Sequence, residues 1–278
     1  MSTNALWGLV LFSAVAHAAW NSLVKSAGDR VATMVTIRMV GLGLGLMALP
    51  FAAWPDEESW KWLALTAFIQ FGYYAFLVRS YGLGDMSVVY PLARGTAPLL
   101  TTVGAFIALD ERLSIAHFAA IALISIGIMM LSIGSGASRP ALGFACATGL
   151  SVAGYSLVGG VGVRMAGTVV GFQACLEIVT GSAMAAYGLA TRREYLFAFV
   201  RKHGALGLLA GSLSVLGYLA FLAAAQRLPL GPIVALRETS VIFGTLIGAF
   251  VLHEAFALRR IMASTLVLAG VAGLALIR

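Results

Sequence analysis

Phe71-Gly-Tyr-Tyr-Ala-Phe-Leu77 has a near copy in Leu216-Gly-Tyr-Leu-Ala-Phe-Leu222. Two apolar runs sharing a glycine, a tyrosine and an Ala-Phe-Leu ending point to an internal duplication. The pairing extends outward. Arg94 lies 17 residues before Glu111, and Arg237 lies 17 residues before Glu254. Gly104-Ala-Phe-Ile-Ala-Leu-Asp-Glu111 resembles Gly248-Ala-Phe-Val-Leu-His-Glu254 with one residue of slippage, and Gly127 then corresponds to Gly270. Near the start, Trp20-Asn-Ser-Leu-Val24 matches Tyr155-Ser-Leu-Val158 in spacing.

The surroundings of these repeats are apolar almost throughout. Of the 278 residues 60% are hydrophobic and 10% charged, and the mean hydropathy is +0.96. A soluble domain carries roughly 25% charged residues, so the solvent for this chain is a bilayer. Ten apolar segments fall at roughly 4–25, 31–53, 60–81, 86–109, 114–134, 140–160, 168–190, 203–226, 230–252 and 257–277, most of them near the ~20 residues a spanning helix needs. They do not alternate as the ~10-residue strands of an outer-membrane barrel do. The chain reads as an all-α integral membrane protein with ten transmembrane helices. Gly134-Ser-Gly-Ala-Ser-Arg-Pro140 marks the midpoint, giving a first five-helix repeat at 1–135 and a second at 136–278 within one membrane domain. Five is odd, so the halves enter from opposite sides. They form an inverted-topology pair, a construction that places transporter sites between the repeats.

Met1-Ser-Thr-Asn4 holds no Lys or Arg, so the first segment is expected to stay as a helix rather than be cleaved as a leader. Cys146 and Cys175 lie in apolar runs and suggest neither a disulfide framework nor a metal site. No cofactor is expected. The net charge of +7 comes from residues scattered over short loops, which argues against nucleic acid. Loops after odd-numbered segments hold Lys25, Arg30, Arg139, Arg192, Arg193, Arg201, Lys202, Arg259 and Arg260; the opposite side holds Lys61, Arg112, Arg164, Arg227 and Arg278. The excess on the first side predicts that it is cytoplasmic, with both termini periplasmic.

This pattern resembles the drug/metabolite transporter superfamily, and within it the ten-helix EamA-type carriers. The resemblance covers nearly the whole chain and rests on Trp20-Asn-Ser-Leu-Val-Lys25, on Arg38, and on the repeats ending in Asp110-Glu111 and His253-Glu254. Among members the chain looks most like bacterial inner-membrane exporters of aromatic amino acids. The resemblance implies a small-molecule cargo carried by alternating access. The four-helix multidrug relatives place a membrane glutamate eight residues before a lysine in the first helix; here His17 stands there, before Lys25, so coupling through that acid is not available. Multidrug, metabolite or nucleotide-sugar transport remain alternatives within the superfamily.

The residues themselves suggest where cargo binds. Ser13, His17, Trp20 and Asn21 share one face of the first helix. Such a stripe faces either a cavity or hydrogen-bonding neighbours that pack the bundle. His17 is also a candidate for proton coupling. Tyr90, Arg94 and Pro98 recur at four-residue spacing on the fourth segment, and Pro91 and Pro98 suggest a kinked or broken helix. Arg94 either lines the cavity or snorkels to the interface. Arg237 and Glu238 occupy the matching place in the ninth segment. Neighbours on a helix point about 100° apart, so one is expected to face the cavity while the other meets another helix. A guanidinium suits a carboxylate, so one of Arg94 and Arg237 is expected to read an anion and the other to brace the fold. Tyr74, Tyr155 and Tyr218, with Tyr73 and Phe221, supply aromatic walls. Glu177 and Arg38 form a candidate scaffold bridge. Glu111 and Glu254 are expected as loop caps or interface anchors, and Gly41-xxx-Gly45, Gly167-xxx-Gly171, Gly207-xxx-Gly211 and Gly244-xxx-Gly248 as close-packing motifs. A membrane enzyme is disfavoured by the lack of H-E-x-x-H and G-x-S-x-G. A channel is disfavoured by the lack of a filter-like sequence and by the duplication. Two halves in one chain make a monomer sufficient.

Overall fold

The computed structural model describes residues 1–26, 29–83, 86–132, 138–243 and 258–277. The helices in chain order are Thr3–Ser26 (α1), Arg30–Ala48 (α2), Glu57–Leu83 (α3), Met86–Leu109 (α4), Ile115–Met129 (α5), Arg139–Met165 (α6), Val169–Ala225 (α7), Leu230–Arg237 (α8) and Leu258–Leu276 (α9). Short polar residues start four of them. The side chains of Asp29, Ser114, Ser138 and Thr168 accept from the backbone N–H three residues on, satisfying donors the helix leaves open. Among the described residues, six helices are long and apolar enough to cross a bilayer. The chain is an all-α, multi-pass membrane protein.

α7 contains two of the segments expected from the sequence. Its 57 residues would reach about 85 Å if straight, far beyond a hydrocarbon core of about 30 Å. The run bends at Arg192 (φ −146°, ψ 35°) and His203 (φ −122°, ψ 16°), which separates the arms 169–191 and 204–225. Between the bends Leu196 and Phe199 are buried, while Tyr195, Phe197, Arg193, Arg201 and Lys202 are exposed. That division of faces suits a membrane–water boundary. Arg192 reaches Asp29 at 3.4 Å, tying the bends to the connection between α1 and α2.

The opposite end of the bundle is held by a clamp. Asp110 takes a left-handed conformation (φ 49°), one that aspartate tolerates better than most residues, and Glu111 turns back over the bundle. Its Oε1 accepts from Arg164 Nη2 at 2.8 Å, and its Oε2 accepts from the Leu230 N–H at 2.7 Å. Arg164 also donates to the carbonyls of Ala225 (2.9 Å) and Leu228 (2.8 Å). Glu111 therefore caps α8 rather than its own loop.

Small residues set the packing. α2 lies along α7, and α5 lies along α9. A Cβ at Gly45 would meet the Ala174 carbonyl at 2.8 Å, and one at Gly211 would meet Val40 Cβ at 2.6 Å. The expectation for Gly167-xxx-Gly171 needs correction. Gly167 sits in the α6–α7 turn with φ +64°, where a side chain would be strained, and does not pack one helix on another. Gly244-xxx-Gly248, His253, Glu254 and most of the midpoint linker lie outside the described residues. Phe172, Phe221, Leu222, Leu230 and Ile233 form the main core; Ile121, Ile124 and Ile128 with Val267 form a second between α5 and α9.

The expected break in α4 is absent. Pro91 and Pro98 are contained within a continuous helix. The break comes instead after Arg237. There Thr239 N–H bonds the Leu236 carbonyl at 3.1 Å and Val241 N–H bonds Glu238 at 3.1 Å, tighter three-residue steps in place of four. Helix resumes at Ser240.

Candidate substrate-binding cavity

The polar face of α1 is turned into the bundle. Ser13 and His17 are buried, and the Trp20 ring meets His17 edge-on at 5.1 Å. The Tyr90 hydroxyl of α4 lies 3.4 Å from His17 Nε2. Asn21 spends its carboxamide on its own helix, donating to the His17 carbonyl at 2.8 Å.

Two buried ion pairs cross the bundle. Arg38 Nη1 of α2 lies 3.1 Å from Glu177 Oε2 of α7. Arg38 Nη2 donates to Ser214 Oγ at 2.6 Å, and Gln173 Nε2 donates to Glu177 Oε1 at 2.8 Å. Arg94 Nε lies 2.7 Å from Glu238 Oε2, with the two side chains 2% and 1% exposed. This second contact brings the charges together without the alignment of a hydrogen bond, and neither Arg94 Nη nitrogen has an acceptor among the described residues. Arg94 thus does not snorkel; a carboxylate from the far half of the chain holds it at depth.

Aromatic rings from α3, α6 and α7 make a connected wall. Centroid separations run 5.2 Å from Tyr74 to Tyr73, 5.8 Å to Tyr155, 6.2 Å to Tyr218 and 5.7 Å to Phe221. Arg237 closes the series, its guanidinium carbon 4.9 Å from the Phe221 centroid and 5.6 Å from that of Tyr218. Both lie within the ~6 Å reach of a cation–π contact.

These groups enclose a cavity of about 60 Å³. A water needs ~10–15 Å³ by the same measure. In this conformation the space takes a small polar head group, and a larger side chain would require the walls to part. Of the residues singled out from the sequence, His17, Trp20, Tyr74, Tyr155, Tyr218 and Arg237 line it. Asn21, Tyr90, Arg94 and Glu238 do not line it; Asn21 and Tyr90 contact His17, and Arg94 and Glu238 contact each other. Tyr73, expected in the aromatic wall, lines it too; the cavity adds Met34, Gln70 and Ser214, and it exposes the Arg38–Glu177 pair that sequence reasoning assigned to scaffold. Two of the additions had a signal. Gln70 lies three and four residues before Tyr73 and Tyr74, and Ser214 four before Tyr218, so each shares a face with a residue already chosen.

Residues 6–133 match the model of the EamA-like transporter family. Over that span, a little under half of its length, the chain is similar to that transporter family. The matching family is one of transporters, and no group of three His, Cys, Asp or Glu among the described residues could hold a metal ion. A solved crystal structure of a protein 18% identical in sequence superposes with a TM-score of 0.73, covering 98% of this chain and 96% of that one. At that identity the likeness speaks for the fold alone. No curated protein matches the chain.

Proposed function

We propose that the protein is a secondary transporter that exports aromatic and neutral amino acids, and related small metabolites, across a bacterial inner membrane. In this reading ten helices form two inverted five-helix repeats, 1–135 and 136–278, that rock about a site between them. The observation that carries it is the cavity itself. It lies between the two ends of the bundle, with charged side chains and a tyrosine wall drawn from helices of both halves. A lipid-facing surface has no use for such groups, and intramembrane charges mark substrate paths. His17, Trp20, Tyr74, Tyr155, Tyr218 and Arg237 would touch cargo, with Asn21, Tyr90, Arg94 and Glu238 holding them in place. The Lys/Arg distribution puts the α7 bends in the cytoplasm and both termini in the periplasm. Cargo would then enter past the bends while the Glu111–Arg164 clamp shuts the far mouth.

The test is counterflow in proteoliposomes made with purified protein and labelled tryptophan, phenylalanine or leucine, with and without a pH gradient. Saturable exchange without a gradient is the expected result, and it would make proton coupling through His17 unnecessary. Absence of exchange with all three would overturn the cargo assignment.

A further inference from the structure

An arginine buried within a membrane bundle calls for an anion. Three of the described arginines sit eight or nine residues into their helices, and two have an acid: Arg38 has Glu177 and Arg94 has Glu238. Arg237 differs. It is only 7% exposed, it lines the cavity, and no described carboxylate lies within ion-pair distance of it. Its Nε, like those of Arg38 and Arg94, is buried without a hydrogen-bond partner among the described residues, so what sets Arg237 apart is the missing carboxylate. Glu238, the next residue, turns to Arg94 across the helix break.

What Arg237 does have is aromatic. Phe221 and Tyr218 lie beneath its guanidinium carbon. Such contacts use the flat face of the cation and leave its in-plane N–H donors free. Those donors form the fork that grips a carboxylate at two points. The rings also fix the fork's orientation, which lowers the ordering cost of binding.

The geometry points to Arg237 as the docking group for a carboxylate of the carried molecule, with Arg94 the brace. The inference rests on the reading of this cavity as the cargo site. It separates the two repeat-related arginines by what each already holds. An acid-free amine, or an amide, would leave the buried fork unpaired and would bind more weakly.

Binding to purified protein in lipid nanodiscs tests it, followed by tryptophan fluorescence where the probe is transparent and otherwise by calorimetry. The probes are L-tryptophan, L-phenylalanine, L-leucine and indole-3-propionate, each beside its carboxamide. The wild type is expected to favour each carboxylate by about tenfold or more, the range for a hydrogen bond to a charged group. Arg237→Gln should bring carboxylate and carboxamide close to parity. Arg237→Lys should keep the preference with a reduced ratio, because it retains the charge without the fork. A carboxylate preference that survives Arg237→Gln would overturn the assignment while leaving an amino-acid carrier intact. Binding of indole-3-propionate but none of the amino acids would support Arg237 and count against amino-acid cargo. No binding by any carboxylate in the folded wild type would overturn the assignment outright.

Discussion

Arg237 and Glu238 are neighbours in the chain and take unrelated partners, an aromatic wall for one and Arg94 for the other. A sequence shows which side chains share a face of one helix, because that depends only on the 3.6-residue turn. It does not show which helix lies opposite. Hence the Ser13–His17–Trp20 face was legible, and so was the divergence of Arg237 from Glu238. The choice of Arg94 as partner for Glu238 was not. The Arg38–Glu177 bridge was anticipated, but its place on the cavity wall was missed. Removing one member of that bridge should cost more than removing both. Arg38→Ala leaves the Glu177 carboxylate buried without its cation, an expected loss of about 3–5 kcal/mol. The double replacement Arg38→Met with Glu177→Met should lose less than either single charge removal, as read from unfolding midpoints in detergent. Additive losses would mean the pair is not coupled. In the aromatic wall, Tyr155→Leu interrupts the series between Tyr73 and Tyr218. Tryptophan exchange should fall relative to leucine exchange in the same vesicles, and an unchanged ratio would remove Tyr155 from the ring-binding wall.

At the scale of helices, the starts and apolar runs were legible because caps and composition are local. The departures have tertiary causes. α4 keeps its two prolines in one helix, since packing in a bilayer can re-satisfy the backbone groups that proline frees. Arg192, Arg193, Arg201 and Lys202 were expected in a loop after the seventh segment, and they lie instead on a helix that bends at Arg192 and His203 and continues between them. Gly127 and Gly270 both lie where α5 and α9 pack closely. A Cβ at Gly270 would come 2.7 Å from the Ala120 carbonyl, and one at Gly127 would come 3.0 Å from that of Ala263. Gly270→Ala is therefore expected to destabilise by about 1–3 kcal/mol, a shift measurable as a lower melting temperature. An unchanged melting temperature would show that α5 and α9 can separate freely. The clamp offers a second test. Arg164→Ala removes three donors from one end of the bundle. Hydrogen exchange should rise at the amides of 226–231 and stay unchanged at the α7 bends. Equal rises at both ends would point to general loosening instead.

For the molecule as a whole, composition made the all-α, multi-pass membrane class legible, while the inverted-repeat architecture drawn from the duplication and the odd number of segments per half belongs to the proposal. The size of the cavity and the closure of one end were not legible, because they depend on how the halves lean together. One feature of the interior reaches beyond binding. Arg38, Arg94 and Arg237 face only Glu177 and Glu238 among the described side chains at that depth. Among the described residues one positive charge is left over, and a charge inside a membrane-spanning bundle feels the membrane's electric field. One elementary charge moved across a full potential is worth about 2.3 kcal/mol per 100 mV. A carrier that changes its open side while empty moves this charge through part of the field. Voltage would then bias which side the empty cavity faces, and zwitterionic cargo, bringing no net charge, would not cancel the bias. Recordings of charge movement from reconstituted protein should show a transient current without cargo that shrinks in Arg237→Gln. A silent wild type would mean that the field falls elsewhere than across this site.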